Sequence, residues 1–463
     1  MFDLAVRGGT VVTAGGNAAA DVGVQDGRMV QIGGPMRARR EIDARGCYVF
    51  PGGIDVHVHF SAFRRPEPGF EMQVDDFYSG SQAAIAGGIT TIGNMVHQWQ
   101  DETLRAAVAR DMAAAERDAA VDYLLHPVLA RPGSDALADI AALAQDGHRT
   151  VKFFLMYDNF DREADGYLDA FGAAAANRLL AMAHCEDGPL IRYLRRRLRA
   201  EGRTAARYYP DTRPDYVESA ATERAIAYAH AAQASLYVVH LASAAALDAC
   251  RRARTRGWPV SVETRPLYLY LTNERFMEPD GAKYTGNPPL RAASDREAIW
   301  EGMRDGSIQC LCSDHAPWTL AQKLDPALDA TSLRAGVSDL ETLLPMLFSE
   351  GVRTERISLE RFVELTSTNA ARLFGLYPRK GTIAVGADAD LVVWDPEATR
   401  TVDGATMYSR AGYSVYDGWK VTGWPVYTIS RGEVLCDHGR VEAERGRGRW
   451  LRRSPGTPPA ARR

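Results

Sequence analysis

Four histidines, one lysine and one aspartate in this chain have the residue types of a metal centre, and each stands in or at the end of a short apolar run. His57 and His59 lie in "IDVHVH". Alternate residues of a strand share a face, so both imidazoles point the same way. His184 closes "LLAMAH", His240 closes "LYVVH" and Asp314 closes "IQCLCSD". Imidazole and carboxylate are suitable ligands for zinc and similar divalent ions. Lys152 stands inside "RTVKFFLMYDNF", which otherwise reads as a buried strand. A lysine is almost never fully buried without a partner, and an unpaired buried ammonium is costly. A neutral lysine amine can instead react with carbon dioxide to form a carbamate. Two divalent cations can share its two oxygens, and their charge favours that anionic form. Each residue alone has an ordinary alternative, a hydrogen-bonded strand-end histidine or a snorkelling lysine. It is the set, in strand-end context, that points to a metal centre.

These side chains need elements that bring them together. From about residue 53, short apolar runs alternate with Ala-rich helical segments, such as "GGIDVHVHF" then "SGSQAAIAGG", and "TTIGNMV" then "DETLRAAVARDMAAAERDA". Repeated strand–helix units imply a parallel sheet. About eight of them over roughly 300 residues suit an α/β chain folded as a (β/α)8 TIM barrel, whose active sites sit at the C-terminal strand ends. The candidate ligands would converge there. Residues 2–50 and the segments "KGTIAVGADADLVVWDP" and "YTISRGEVLCDHGRV" read as strands punctuated by Gly. The expected organisation is a small β-sandwich from residues 1–52 and 379–444, with a barrel inserted at 53–378. The tail 445–463, "RGRGRWLRRSPGTPPAARR", reads as basic and disordered.

Composition narrows the classes further. The chain has 463 residues, 46% hydrophobic and 25% charged, with a net charge of -4. That charge gives no basic field for nucleic acid. The six cysteines form no CxxC pair and read as reduced thiols. No apolar run reaches membrane-spanning length and the N-terminus lacks a signal-peptide pattern. The expectation is a cytoplasmic protein with no membrane partner. His97, His126, His148, His230 and His438 read as surface or packing residues, although His97 follows a strand and could line the pocket. His315, directly after Asp314, should point away and orient its loop.

With these residues in view, the chain resembles the amidohydrolase superfamily, in its cyclic-amidohydrolase branch of hydantoinases, dihydropyrimidinases, allantoinases and dihydroorotases. "PGGIDVHVHF" looks like the first metal motif of that branch, and "TVKFFLMY" is similar to the strand bearing a carboxylated lysine. "AHCED", "YVVHLASAAAL", "ETRPLYLYLT", "NPPLR" and "CSDHAPW" follow in the same order. The resemblance implies two divalent ions, zinc with manganese or cobalt as substitutes. His57, His59 and Asp314 would bind one, His184 and His240 the other, and Lys152 as N6-carboxylysine would bridge them, using CO2. It implies that hydroxide held by the metals attacks a cyclic amide while Asp314 acts as general base, then general acid. It also implies a homotetramer.

The ring is less sharply marked. Tyr157 lies at the offset from Lys152 where hydantoinases carry a tyrosine that contacts the reacting carbonyl. Dihydroorotases have an arginine two residues after HxH; here that position is Ser61, and Arg64 and Arg65 lie in what looks like an insertion. Asn287 stands where hydantoinases typically have Ser, and a second backbone contact to substrate is expected near Ala335. The reading is a hydrolase opening a hydantoin or dihydropyrimidine ring. Allantoinase or another cyclic imide or ureide hydrolase comes next, with dihydroorotase and a non-catalytic assembly protein behind.

Overall fold

The computed structural model describes residues 1–62, 73–99 and 102–453. Eight parallel strands, named here β1 to β8, lie side by side in chain order. They are β1 (Gly53–Val58), β2 (Ile89–His97), β3 (Asp122–Val128), β4 (Thr150–Phe154), β5 (Leu180–His184), β6 (Ser235–Val238), β7 (Val260–Thr264) and β8 (Cys310–Leu311). Strands buried on both faces are expected to be near-continuously apolar, and all seven residues of β3 are buried. The sheet curls until β1 meets the chain just past β8. There the His59 N–H donates to the His315 carbonyl at 2.9 Å. The buried Asp55 carboxylate adds to this closure, accepting from the backbone N–H groups of His57 and Ser313, both at 3.0 Å.

The outer helices show why this sequence wraps so. In Leu104–Asp118 the buried positions are Leu104, Ala107, Val108, Asp111, Ala114, Ala115 and Asp118, the three- and four-residue spacing of a core-facing helix stripe. Thr103 caps its start through an Oγ1 acceptor. Small alanines on the inner face let the helix approach the strands closely.

Both chain ends build two further sheets. The four-stranded one takes Phe2–Arg7, Val22–Gln25, Arg28–Ile32 and Ala38–Asp43. The seven-stranded one mixes the ends: Tyr48–Pro51 pairs antiparallel with Leu391–Thr401. Leu4, Val6, Val24, Val49, Leu391, Val393 and Ile429 share one core between the sheets. A buried ion cluster ties this unit to the base of the barrel. Lys380 Nζ lies 2.8 Å from Asp122, at the start of β3, and also pairs with Asp388 and Asp390, while Arg431 pairs with Asp122. The three aspartates are close enough to hold an ion, but three cations, Lys380, Arg431 and Arg379, already pair with them.

The tail needs correction. Residues 445–453 are ordered, not disordered, and pack beneath the barrel; 454–463 lie outside the described residues. Tyr123 N–H donates to the Arg449 carbonyl and Leu451 N–H to the Tyr123 carbonyl, both at 3.0 Å. Leu451 is fully buried and joins Ile54, Val56, Leu124 and Val128 inside the barrel. Arg447 donates to the Ala120 carbonyl and Arg445 pairs with Asp118, each at 3.0 Å. The basic composition hid two apolar anchors, Trp450 and Leu451, and a set of carbonyls that the arginines satisfy. Leu451→Ala should cost about 2–5 kcal/mol, as other buried Leu truncations do. The check is a clear drop in the thermal unfolding midpoint with the active-site chemistry intact.

Candidate metal centre

The C-terminal mouth of the barrel collects the ligand-type residues. His57 lies on β1 and His59 just beyond it, Lys152 on β4 and His184 at the end of β5. His240 and Asp314 follow β6 and β8 in the left-handed backbone region, with φ of 37° and 49°. Non-glycine residues rarely sit there, and such strain gathers at functional sites. The bend turns each side chain off its strand direction and into the mouth.

The pieces are close. Asp314 Oδ1 lies 3.0 Å from His59 Nε2 and 3.3 Å from His57 Nε2. Donor atoms of these three residues all fall within 4.8 Å of one another. The His57 and His240 rings are 5.4 Å apart and those of His184 and His240 4.5 Å apart. Lys152 sits among them, and its charge acts on His57, His184 and His240. Its Nζ is fully buried and has no hydrogen-bond partner. Burial pulls its pKa down to about 8, against the opposing pull of Glu263 and Asp314. A neutral amine, the form that takes up CO2, is therefore accessible near neutral pH. Burial also lowers the pKa of His57, His184 and His240, which keeps these imidazoles neutral, the form that binds metal. For Asp314 burial acts upward, but the Arg265 charge and the nearby His57 and His59 hold it well below the usual carboxylate range.

A second ring of carboxylates orients the imidazoles. Glu263 Oε1 is 2.7 Å from His57 Nδ1 and accepts from the His240 backbone N–H at 3.1 Å. Glu186 Oε2 is 2.7 Å from His184 Nε2 and is itself paired with Arg213 at 2.6 Å. These contacts occupy His57 Nδ1 and His184 Nε2, so the other nitrogen of each ring lies outside the hold of its carboxylate, and His240 Nδ1 has no hydrogen-bond partner. Carboxylates behind metal-binding histidines fix the tautomer and raise ligand basicity. The donor set and the orphaned Lys152 amine thus fit divalent cations. Glu263, Glu186, Arg213 and Arg265 were not singled out from the sequence. Glu263 carried a usable signal, since it ends "PVSVE" much as Asp314 ends "IQCLCSD".

A family model described as the amidohydrolase family matches residues 48–435. The chain belongs to the amidohydrolase family. It is 39% identical over 458 residues to the D-hydantoinase of Ralstonia pickettii, spanning 98% of this chain and 99% of that one. Its structure is similar to D-hydantoinase from a Bacillus sp. AR9, with a TM-score of 0.93 at 38% identity, covering 98% and 99% of the two chains. It is equally similar to dihydropyrimidinase from Brevibacillus agri NCHU1002, with a TM-score of 0.93 at 36% identity over 98% and 99%.

Around this amidohydrolase site the remaining expected residues fall as follows. Tyr157 stacks on Phe154 at 4.8 Å, and its hydroxyl lies 3.4 Å from His97 Nδ1. His97 Nε2 lies 3.4 Å from His59 Nδ1. His97 therefore belongs to the site wall, and burial holds its pKa down at about 3. His315 turns away to Asp75 at 2.9 Å. His126 and His148 are buried packing residues, while His230 and His438 are exposed. The Asn287 side chain accepts from the Tyr209 hydroxyl, which ties its amide oxygen to that ring. The Ala335 carbonyl accepts from the Trp318 indole at 2.8 Å, using one of its two lone pairs. Buried Lys323 staples the two loops, donating to the carbonyls of Thr285, Arg334 and Gly336 at 2.7, 2.7 and 2.9 Å. Gly336 has φ of +117°, and a Cβ there would lie 2.2 Å from the Ala316 carbonyl, so this turn requires glycine. Ser61 is buried beside Asp75, whereas Arg64 and Arg65 lie outside the described residues.

The Glu186–Arg213 pair makes a stability prediction. Burial acts to raise the Glu186 pKa, but Arg213 and His184 hold it at about 2, against an unperturbed 4.5. Its contribution is therefore fully present above about pH 4.5 and is lost as pH falls toward 2. Arg213→Leu should cost about 3–5 kcal/mol at pH 7 by stranding a buried charge. The gap to the parent protein should shrink at pH 3, where the stranded carboxyl takes up a proton. Denaturant unfolding of the metal-free protein at both pH values checks this; an equal gap at both rejects it.

Proposed function

We propose that this amidohydrolase is a binuclear-metal enzyme that opens a hydantoin or dihydropyrimidine ring by hydrolysis. The observation that carries it is the Lys152 amine: fully buried, without a partner, shifted toward its neutral form and encircled by His57, His184 and His240. The likeness to D-hydantoinase and dihydropyrimidinase over nearly the whole chain supports the ring class. His57, His59 and Asp314 would hold one ion, His184 and His240 the other, with Lys152 bridging as its carbamate. Zinc suits this set of imidazoles and carboxylates, and manganese or cobalt are the substitutes. When bound, such a pair of ions polarises a carbonyl oxygen and ionises water near neutral pH.

The chain's own residues then have defined tasks. Asp314 accepts a proton at its carboxylate and delivers it to the departing ring nitrogen, as base and then acid. Its strongly lowered pKa leaves it ionised and ready to accept at the start. Burial pushes the Tyr157 pKa up, so its hydroxyl stays a donor for the oxygen on which charge develops. The backbone groups of Asn287 and Ala335, on loops stapled by Lys323, orient the far side of the ring. The product is an N-carbamoyl amino acid or a close relative. No helix among the described residues is long and apolar enough to cross a membrane. We place the enzyme in the cytoplasm as a homotetramer acting on a small substrate, with no nucleic-acid partner.

The decisive experiment measures metal content and turnover together. The purified protein, loaded with zinc and bicarbonate, is assayed on hydantoin, 5-substituted hydantoins, dihydrouracil, allantoin, dihydroorotate and succinimide. Two ions per chain and ring opening of hydantoin or dihydrouracil are expected. No bound divalent ion and no turnover on any ring would end this reading; turnover on allantoin alone would move it to that ureide. Lys152→Ala should lose metal and reduce turnover by at least about 10³-fold, since the shared ligand is gone. Small carboxylic acids should partly restore it. Unchanged metal content in that variant would refute the bridging role.

A further inference from the structure

Arg265 follows β7 and is fully buried, so its guanidinium must be paired. Its Nη1 lies 2.7 Å from Asp314 Oδ2, and its Nη2 lies 3.4 Å from Asp339 Oδ2. Nη1 also borders the loop that carries Asn287, because a Cβ placed on Gly286 would lie 3.3 Å from it. The two oxygens of Asp314 are therefore divided. Oδ1 faces His57 and His59, and Oδ2 is held by the guanidinium. Arg265 and Asp314 come from neighbouring strand ends, joined by the Cys312 N–H donating to the Thr264 carbonyl at 3.1 Å.

We propose that Arg265 is a positioning residue for the ring-opening step, clamping Asp314 through Oδ2 so that Oδ1 stays turned toward the histidines. This rests on the reading of Asp314 as the proton carrier. The terminal torsion of a carboxylate is broad, so nothing internal to Asp314 fixes the plane of its carboxylate, whereas a donor held on one oxygen does. Its backbone is also strained, with a φ of 49°, so the side chain needs an outside hold. A guanidinium supplies two donors in a rigid plane and can hold Asp314 and Asp339 at once; a lysine ammonium lacks that plane. The alternative use of a buried arginine is to receive an anionic group of the substrate. Two carboxylates already face this guanidinium, so the geometry favours the clamp.

The test compares Arg265→Met, Arg265→Lys and Asp314→Asn with the parent enzyme, all loaded with zinc and bicarbonate. Bound metal, thermal midpoint, kcat and KM are measured on hydantoin and on a hydantoin bearing a carboxymethyl group. A misplacement of about 1 Å at a reacting group can cost on the order of 10²-fold in rate. Arg265→Met should keep both ions, lose about 10²-fold in kcat on both substrates and hold KM within about threefold. Arg265→Lys should recover about tenfold of that loss. If Arg265→Met does not fold, Arg265→Lys decides alone, with a kcat about tenfold below the parent and both ions bound. A parent-like kcat in the variant that folds overturns the proposal. So does a rise in KM confined to the carboxymethyl substrate, which would mark an anion receptor. So does loss of metal that accounts for the loss of rate. Asp314→Asn separates the two levels: parent-like turnover there would remove the proton-carrier reading itself, whereas an inactive Asp314→Asn beside an active Arg265→Met removes only the clamp.

Discussion

A lysine amine with no hydrogen-bond partner, enclosed at the mouth of a barrel, is the constraint on which this site turns. As an ammonium it would carry a large desolvation cost. Burial instead brings it down to about 8, within reach of the neutral form. The surroundings answer the same constraint. The imidazoles of His57, His184 and His240 are themselves held neutral by burial, so they do not add charge beside it. The opposing charges, Glu263 and Asp314, come from the ends of β7 and β8, across the mouth from β4.

The carboxylates do more than balance charge. Glu263 and Glu186 sit behind His57 and His184 and take up one nitrogen of each ring. Arg213 and Arg265 in turn hold Glu186 and Asp314. His57, His184 and Asp314 are therefore each held by a buried partner, the kind of fixed geometry that a metal site needs. The barrel's own closure belongs to this arrangement, since Asp55 bonds the backbone of both His57 and Ser313. Sealing the sheet and aiming the first and last ligand strands are one structural event.

Much of this was legible from sequence because the barrel repeats a simple rule. Strands alternate with alanine-rich helices, and residues ending a strand face the same mouth. Positions 57, 59, 152, 184, 240 and 314 could be picked out on that rule, and the structure brings them together. The rule says nothing about partners from distant segments. From the sequence His97 reads as a packing residue that could line the pocket, and only the contacts of its imidazole with His59 and Tyr157 place it in the site wall. The strap of residues 445–453 looked like a solvated basic tail, because composition counts arginines and does not register Leu451 entering the barrel.

The sequence by itself determined the alternation of elements, the candidate ligands and the buried lysine, all of which depend on periodicity and residue type over short spans. Only the tertiary structure decided which nitrogen of His57 and of His184 is taken up by a carboxylate, how Asp314 is clamped and what plugs the base of the barrel. Those depend on pairs far apart in the chain, such as His57 with Glu263 and Tyr123 with Arg449. Their separation is set by strand order and closure of the sheet, and local pattern carries no record of either.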